Sequence, residues 1–264
     1  MIRLPFEVHK LHLEDILNPE HPSSLAHQEN YTLLILRLPL YENEEVRGFS
    51  YPFLINQNTS YFYDREKQDF FHLEDNFQTL YRMLDHFVDL VIESINQAHE
   101  TIEQYEEQFH SSTVRHFLRE WHVQKKEMLR IHRLVSQAAR TMLEFINAFK
   151  LSPHFLSNEF HDILEHLERS ERSSQAALLK LDQLYSFYAL TTNEKINKSI
   201  FTLTILSAIF LPLNLIVGFF GMNTGGMFFA DSPSGTALVM GGMVFLSLVL
   251  STLGLVYLRK KRSS

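Results

Sequence analysis

Residues 199–222 read SIFTLTILSAIFLPLNLIVGFFGM and contain no charged side chain over 24 positions. A second uncharged stretch, of 23 residues, follows at 236–258 after a short linker. A helix needs about 20 apolar residues to cross the hydrocarbon of a bilayer. Because both stretches reach that length, the sequence predicts a hairpin of two transmembrane helices rather than two core helices of a large soluble protein.

Charge is distributed unevenly along the 264 residues, whose formal net charge is −7. Residues 1–198 carry 20 basic and 30 acidic side chains, whereas residues 199–264 carry four basic and one acidic. The acidic balance argues against a nucleic-acid partner. The chain has no Cys, which excludes a disulfide framework and Cys-based metal centres.

A basic run directly follows the second apolar stretch, and positive charge beside a span favours the cytoplasmic side. With two spans and no pattern of a signal peptide at the start, we expect both termini to be cytoplasmic. The expected location is the inner (plasma) membrane. The run consists of Arg259, Lys260, Lys261 and Arg262.

The rest of the chain shows two kinds of pattern. Residues 1–70 contain strand-like runs at 31–38, 49–55 and 60–63, which predict a small α/β subdomain. Residues 71–198 show helical periodicity, with apolar stripes over 77–109 and 117–149. A third helical pattern begins near His154 and meets no Pro or Gly before Pro212, so we expect that helix to continue into the first span.

Sequence signatures of catalysis are missing. The chain contains neither of the glycine-rich phosphate-binding motifs, G-x-x-x-x-G-K-[ST] and G-x-G-x-x-G, and it contains no H-E-x-x-H. Its Ser, His and Asp residues form no recognisable catalytic set. We therefore expect neither an enzyme nor a bound cofactor. His161, Asp162 and His166 form one His/Asp cluster, but a spacing of five between the histidines suits one helical face poorly.

One face of the first span carries polar and small residues at steps of three and four. An amide within a bilayer must face protein or water, and two spans offer too little protein to satisfy it. A symmetric ring of copies with this face toward its axis solves the problem; helix-to-helix packing is the alternative. The stripe consists of Asn197, Ile200, Thr204, Ser207, Leu211, Asn214 and Gly218.

The sequence around this stripe resembles the CorA family of divalent-cation transporters. The resemblance rests on residues 193–197 (NEKIN), 203–205 (LTI), 209–213 (IFLPL) and 221–223 (Gly-Met-Asn), followed by one more span and a basic end. Residues 12–18 (HLEDILN) also look like an early cytosolic motif of the family. The stretch 221–227 (GMNTGGM) is closer to the ZntB-like branch.

The resemblance implies a funnel-shaped homopentamer. Its parts are an α+β cytosolic domain with long helices (1–70 and 71–198), a pore-lining helix (199–222), an external loop (223–235), a second span (236–258) and a basic tail (259–264). Asn223 is then expected to form the outer selectivity ring, with Gly221 and Met222 supporting it. Further rings are implied at Asn197, Thr204 and Asn214, a hydrophobic gate at Ile200, Leu203 and Leu211, and a basic belt at Arg259, Lys260, Lys261 and Arg262.

The identity of the cation stays open between zinc and magnesium, with cobalt and nickel as further candidates. Phe220 and Thr224 replace the Tyr and the aromatic residue that usually flank the motif in magnesium transporters, and Asp231 is the single acid of the loop. These departures favour zinc slightly. A non-conducting sensor or scaffold anchored in the membrane is the alternative function.

Overall fold

The computed structural model describes residues 6–42, 45–56, 59–108, 114–221 and 234–262. Five strands are followed by four long or medium helices, with one short helix before the strands. The elements are α1 Lys10–Leu17, β1 Ser24–His27, β2 Thr32–Glu42, β3 Glu45–Ile55, β4 Ser60–Asp64, β5 Asp69–Leu73, α2 Phe77–Gln108, α3 Val114–Phe149, α4 Ser157–Gly221 and α5 Gly235–Arg262. The chain divides into two compact units, Met1–Ser186 and Phe187–Ser264.

The sheet is an antiparallel meander in the order β1-β2-β3-β4-β5. The three strands predicted from the sequence are present as β2, β3 and β4, and the short strands β1 and β5 extend the sheet. Strand β5 crosses the limit at residue 70 that the sequence suggested for the subdomain. The α+β class predicted for this part of the chain is confirmed.

The central hairpin pairs 11 residues of β2 with 11 of β3, from Thr32 opposite Ile55 to Glu42 opposite Glu45. Proline lacks the N–H that a central strand donates, so its place in a sheet is restricted. Pro39 lies beyond the part of β2 that pairs with β1, and Pro52 lies just before the part of β3 that pairs with β4. The two prolines therefore mark where the neighbouring strands stop pairing.

Both faces of β2 are buried. Leu34, Leu36 and Leu38 belong to the main core shared with the long helices, while Leu33 and Ile35 belong to a second core. Side chains alternate between the faces of a strand, so the run of apolar residues is buried from both sides. The second core includes Ile16 of α1, Tyr31, Leu54 and Tyr63.

The long helices bury their predicted stripes. On α2, Leu84, Val88, Val91 and Ile95 are almost fully buried. The stripe on α3 is likewise buried from Phe117 to Ile146, with half-buried Trp121 within it. The predicted break between the two helices, residues 111–113, lies outside the described residues. Amphipathic faces of this length stabilise helices mainly through tertiary packing.

Aromatic rings fill the region where α2, α3 and α4 begin or end. Phe145 and Phe160 lie with their ring centroids 5.3 Å apart, and Phe155 is 4.9 Å from Phe160. Phe77 also contacts Phe160 edge-on. Such pairs add stability beyond their buried area. The cluster ties the start of α4 to the other two helices.

Helix α4 is continuous over 65 residues, as the sequence predicted, although it begins at Ser157 rather than near His154. Pro212 lies within it. Proline removes one backbone hydrogen bond, to the carbonyl four residues earlier, and crowds that carbonyl. The helix nevertheless extends through this position to Gly221.

We predict that Phe145→Ala lowers the stability of the α+β unit by about 3–5 kcal/mol, because it leaves a cavity among closely packed rings. Phe145 is fully buried. Thermal unfolding of the purified full-length chain, followed by circular dichroism, measures the effect. Leu151→Ala is the matched control, since Leu151 is 91% exposed. Equal shifts in the two variants contradict the assignment of this core.

Candidate ion pathway

The predicted stripe lies on the exposed side of α4. At about 100° per residue, its members and Leu203 and Gly221 fall within an arc of about 120°. All nine residues of this arc, which we call the stripe face, are exposed. Ile200 is 56% exposed and Leu211 67%. Leu203 and Gly221 lie at one edge of the arc, whereas Ile200, Leu211 and Gly218 lie near its centre.

The opposite side of α4 is more covered. Residues about half a turn from the stripe face are half-buried, although most of their neighbours on the flanks are exposed. The half-buried residues are Phe201, Ile205, Ile209, Pro212, Leu213 and Ile216. The chain therefore packs against α4 from one side and leaves the side that bears the polar residues open.

Polar groups on the stripe face differ in how they are satisfied. The Thr204 hydroxyl donates to the carbonyl of Ile200, with 2.9 Å between the oxygens. This bond is the usual way in which a hydroxyl is satisfied inside an apolar helix. The side-chain amides of Asn197 and Asn214 form no hydrogen bond with any residue that the structure describes. Asn214 lies within the predicted span 199–222, so its amide needs a partner that one copy of the described chain does not supply.

Within the described residues, one helix is long and apolar enough to cross a membrane. It is the apolar part of α4, whose best 18-residue window has a mean hydropathy of 2.3 and contains no buried residue. The apolar segment Ala237–Leu250 of α5 is shorter than the length that a membrane-spanning helix needs. Helix α5 continues to Arg262, so the backbone of the basic run 259–262 is helical.

Helix α4 ends at the first residue of the Gly-Met-Asn motif, 221–223. Gly221 is the last residue of the helix, and an added Cβ there or at Gly218 would meet no described atom within 4 Å. Close approach by another copy of the helix is therefore possible at both positions. Met222 and Asn223 lie outside the described residues. Their expected roles stay predictions.

Carboxylates also gather in the α+β unit, where α2 and the start of α4 pack together. Burial raises the pKa of Asp85, and the negative charges of Asp89 and Asp162 raise it further, against opposing contributions from His166 and His86. His166 lies 3.6 Å from Asp162. The described ranges contain no group of three or more His, Asp or Glu side chains placed to hold a metal ion.

His161 and His166 do not form the metal pair that their sequence cluster could have suggested. The His161 ring nitrogen Nδ1 lies 2.6 Å from the carbonyl oxygen of Ser157, within the same helix. His166 faces Asp162 instead. Each ring has a local partner of its own, as the spacing of five residues indicated.

The α+β unit continues into a long helix whose apolar end carries an exposed stripe of polar residues. The family model described as CorA-like Mg2+ transporter protein matches residues 2–260. This chain therefore belongs to the CorA-like family of ion transporters. Members of this family transport ions and are not enzymes, which confirms the prediction that the chain is not an enzyme.

A curated relative is similar to this chain in sequence, and two solved structures are similar to it in fold. The cobalt/magnesium transport protein CorA of Thermotoga maritima is 21% identical over 277 residues, which cover 97% of this chain and 77% of the relative. The complete structure of the CorA magnesium transporter from Methanocaldococcus jannaschii aligns with a TM-score of 0.79 at 15% identity, over 93% of this chain and 82% of that chain. The shared fold extends over nearly the whole chain.

The cytoplasmic domain of ZntB from Vibrio parahaemolyticus aligns with a TM-score of 0.51 at 13% identity, over 71% of this chain and 80% of that domain. This likeness supports the fold of the α+β unit alone. The CorA family predicted from the sequence is thus confirmed, and with it a function in membrane transport of cations. The ZntB-like branch stays a prediction.

We predict that Asp85→Asn raises the midpoint of thermal unfolding at pH 8. Because the pKa of Asp85 is higher in the folded than in the unfolded protein, ionised Asp85 destabilises the fold. This destabilisation is complete at a pH above the folded pKa, and it disappears as the pH falls to the unfolded pKa near 4. The advantage of the variant should therefore shrink as the pH is lowered from 8 toward 4. Glu144→Gln, an exposed change on α3, is the control. An advantage that is independent of pH contradicts the electrostatic origin.

Proposed function

We propose that this protein conducts divalent cations through an axial pore lined by the stripe face of α4 in a ring of identical copies. The observation that carries the proposal is the asymmetry of α4. From Phe201 onward, the side with Thr204 and Asn214 is open, while the opposite side is half-buried. A face that the chain itself leaves uncovered is the one available to a pore or to neighbouring copies.

The oligomer follows from the unsatisfied amide of Asn214, which lies within the first span. Polar groups within hydrocarbon are costly unless protein or water satisfies them. A closed ring provides water and neighbouring amides on its axis, and cyclic symmetry makes every copy equivalent. The homopentamer is proposed from the family resemblance. The two spans, 199–222 and 236–258, and the bilayer as partner belong to the same proposal.

Both termini are proposed to be cytoplasmic. The basic run after the second span carries four positive side chains, and cytoplasmic loops are enriched in such residues. The α+β unit then lies in the cytoplasm as well. In the pentamer, Arg259, Lys260, Lys261 and Arg262 form a basic belt around the neck, as the family resemblance implies.

Ion recognition is assigned to Asn223 at the outer mouth. Mg²⁺ exchanges its water reluctantly, so a ring of neutral amide oxygens suits the hydrated ion, which it contacts through the ion's water. Gly221 and Met222 support the position of this ring. Asn197, Thr204 and Asn214 provide further oxygens along the pore.

The hydrophobic gate is assigned to apolar side chains on the stripe face. Ile200 and Leu211 lie near the centre of the arc and can close the axis by excluding water. Leu203 lies at the edge of the arc, where it faces the neighbouring helix of a ring more than the axis. Ile200 and Leu211 are therefore the stronger candidates of the three.

Magnesium and cobalt are the proposed first candidates for the cation. The matched family model names Mg²⁺, and the T. maritima relative is named for cobalt and magnesium. Zinc is the second candidate, on the sequence of the loop at 221–227, and nickel is the third. A non-conducting sensor or scaffold remains the competing function, because an exposed polar helix face can also bind a partner.

We predict that liposomes containing the purified protein take up Mg²⁺, and that Asn223→Ala lowers the uptake by about tenfold or more. The expected size reflects the simultaneous loss of several amide hydrogen bonds of about 1 kcal/mol each. Asn223→Asp should hold cations more tightly and alter selectivity among Mg²⁺, Co²⁺, Ni²⁺ and Zn²⁺. Fluorescent indicators inside the liposomes measure the uptake.

The Gly variant separates recognition from helix capping. If Asn223 only ends the helix in a left-handed conformation, Asn223→Gly retains uptake with unchanged ion preference. The proposal expects loss of uptake in this variant. Native mass spectrometry of each variant confirms equal assembly. Liposomes with assembled wild-type protein and no uptake of any of the four cations would support the scaffold instead.

We predict that single cysteines on the stripe face react with a water-soluble thiol reagent, whereas those on the opposite side do not. The natural chain has no Cys, so each introduced thiol is unique. Thr204→Cys and Leu211→Cys are the test variants, and Ile205→Cys and Ile209→Cys are their matched controls. Modification of the test pair should also block cation uptake. Faster modification of the control pair refutes a pore lined by the stripe face.

A further inference from the structure

Four arginines line one cleft of about 610 Å³ in the α+β unit, far along the chain from the proposed pore. Arg37 lies on β2 and Arg47 on β3, while Arg130 and Arg133 lie about one turn apart on α3. We call this space the arginine cleft. The four guanidinium groups come from three elements, so the fold and not a run of sequence brings them together.

Arg37 is held in place with one donor unused. Its Nη1 donates to the carbonyl of Glu20 at 2.7 Å, and its backbone N–H donates to the hydroxyl of Ser23 at 2.8 Å. The Nε atom is buried without a hydrogen-bond partner in the part of the chain that the structure describes. This atom has no surface open to the cleft, so a ligand would contact the outer nitrogens of the guanidinium instead.

The other arginines also keep donors available. Arg130 donates from Nη1 to the carbonyl of Val46 at 2.7 Å, which fixes its guanidinium and leaves its remaining N–H groups. Arg133 is exposed and makes no hydrogen bond or ion pair with any described residue. Arg47 lies 3.6 Å from Glu42 in a half-exposed ion pair, which contributes little to stability.

A glycine permits the close approach on which this arrangement depends. A Cβ at Gly48 would lie 2.8 Å from Nε of Arg37 and 3.0 Å from Cδ1 of Leu134. A larger residue would displace the Arg37 guanidinium and the end of the Leu134 side chain. The glycine therefore leaves both side chains in the positions that line the cleft.

Positive charge predominates in the lining. Glu20 and Glu42 are the acidic residues among the described residues that line the cleft, against four arginines. Glu20 lies 3.9 Å from Arg37, and Glu42 lies 3.6 Å from Arg47, so both carboxylates of the lining are paired. Arg130 and Arg133 form no ion pair with any described residue, and they provide the positive charge open to a ligand.

Apolar side chains complete the wall. Pro19, Phe49 and Leu134 line the same cleft, and Phe49 is half-buried. Guanidinium groups bind phosphate oxygens through paired, charge-assisted hydrogen bonds. An aromatic and apolar wall suits the organic part of such a ligand.

We propose that the arginine cleft binds a soluble, phosphate-bearing anion of nucleotide size. The observations that favour it are the available donors of Arg130 and Arg133 and the cleft volume, which exceeds the space that orthophosphate alone needs. An acidic protein segment is the competing occupant, and the experiment separates it from the anion. The cleft is distinct from the stripe face, so the proposal does not depend on cation transport.

The test is calorimetric titration of the purified full-length protein with ATP in EDTA, which removes divalent cations. We expect saturable binding that weakens as the salt concentration rises. Arg133→Gln should weaken it by about tenfold, since one charge-assisted contact is lost. Arg47→Gln is the second variant. Arg119→Gln is the matched control, because Arg119 is exposed on the same helix about 20 Å away along its axis.

Three results would overturn the proposal. The first is the absence of saturable ATP binding up to about 1 mM. At that concentration, about 1 mM, a ligand with a binding free energy of only about −4 kcal/mol already occupies half of its sites. The second is equal weakening by Arg133→Gln and Arg119→Gln. The third is displacement of ATP by adenosine as effectively as by pyrophosphate, which would mean that the phosphates are not recognised. Tight binding of a poly-glutamate peptide without binding of ATP assigns the cleft to a protein partner.

Discussion

The requirement that backbone and side-chain polar groups be satisfied away from water is the constraint on which the rest of the structure depends. It makes the uncharged stretch of α4 helical, because a helix satisfies its own backbone groups in hydrocarbon. It also lets Thr204 turn its hydroxyl back to Ile200. The same constraint leaves Asn214, within the proposed span, in need of a partner that a ring of copies can supply.

The α+β unit obeys the same rule by other means. Its arginines donate to the carbonyls of Glu20 and Val46, which gives polar partners to groups close to the core. Trp121 similarly donates its ring N–H to the carbonyl of Leu181 on α4 at 2.9 Å.

The periodic features of the fold could be predicted from the sequence because each depends on neighbours along one helix or strand. The stripes of α2 and α3, the continuity of α4 and its stripe face are of this kind. Strands β1 and β5 were missed, because four or five residues give too short a pattern without the strands beside them. The arginine cleft was also missed, since Arg37 and Arg133 meet only through tertiary packing.

Burial of β2 on both faces has a consequence for how the chain folds. A slip of one residue in the β2–β3 hairpin exchanges the two faces, yet leucine or isoleucine would still enter both cores over residues 33–36. The hydrophobic effect alone therefore discriminates weakly against the slipped pairing. Pro39 opposite Gly48 and the fixed contact of Arg37 with Glu20 discriminate more strongly. The register of this hairpin therefore depends on its few proline and polar positions more than on its many leucines.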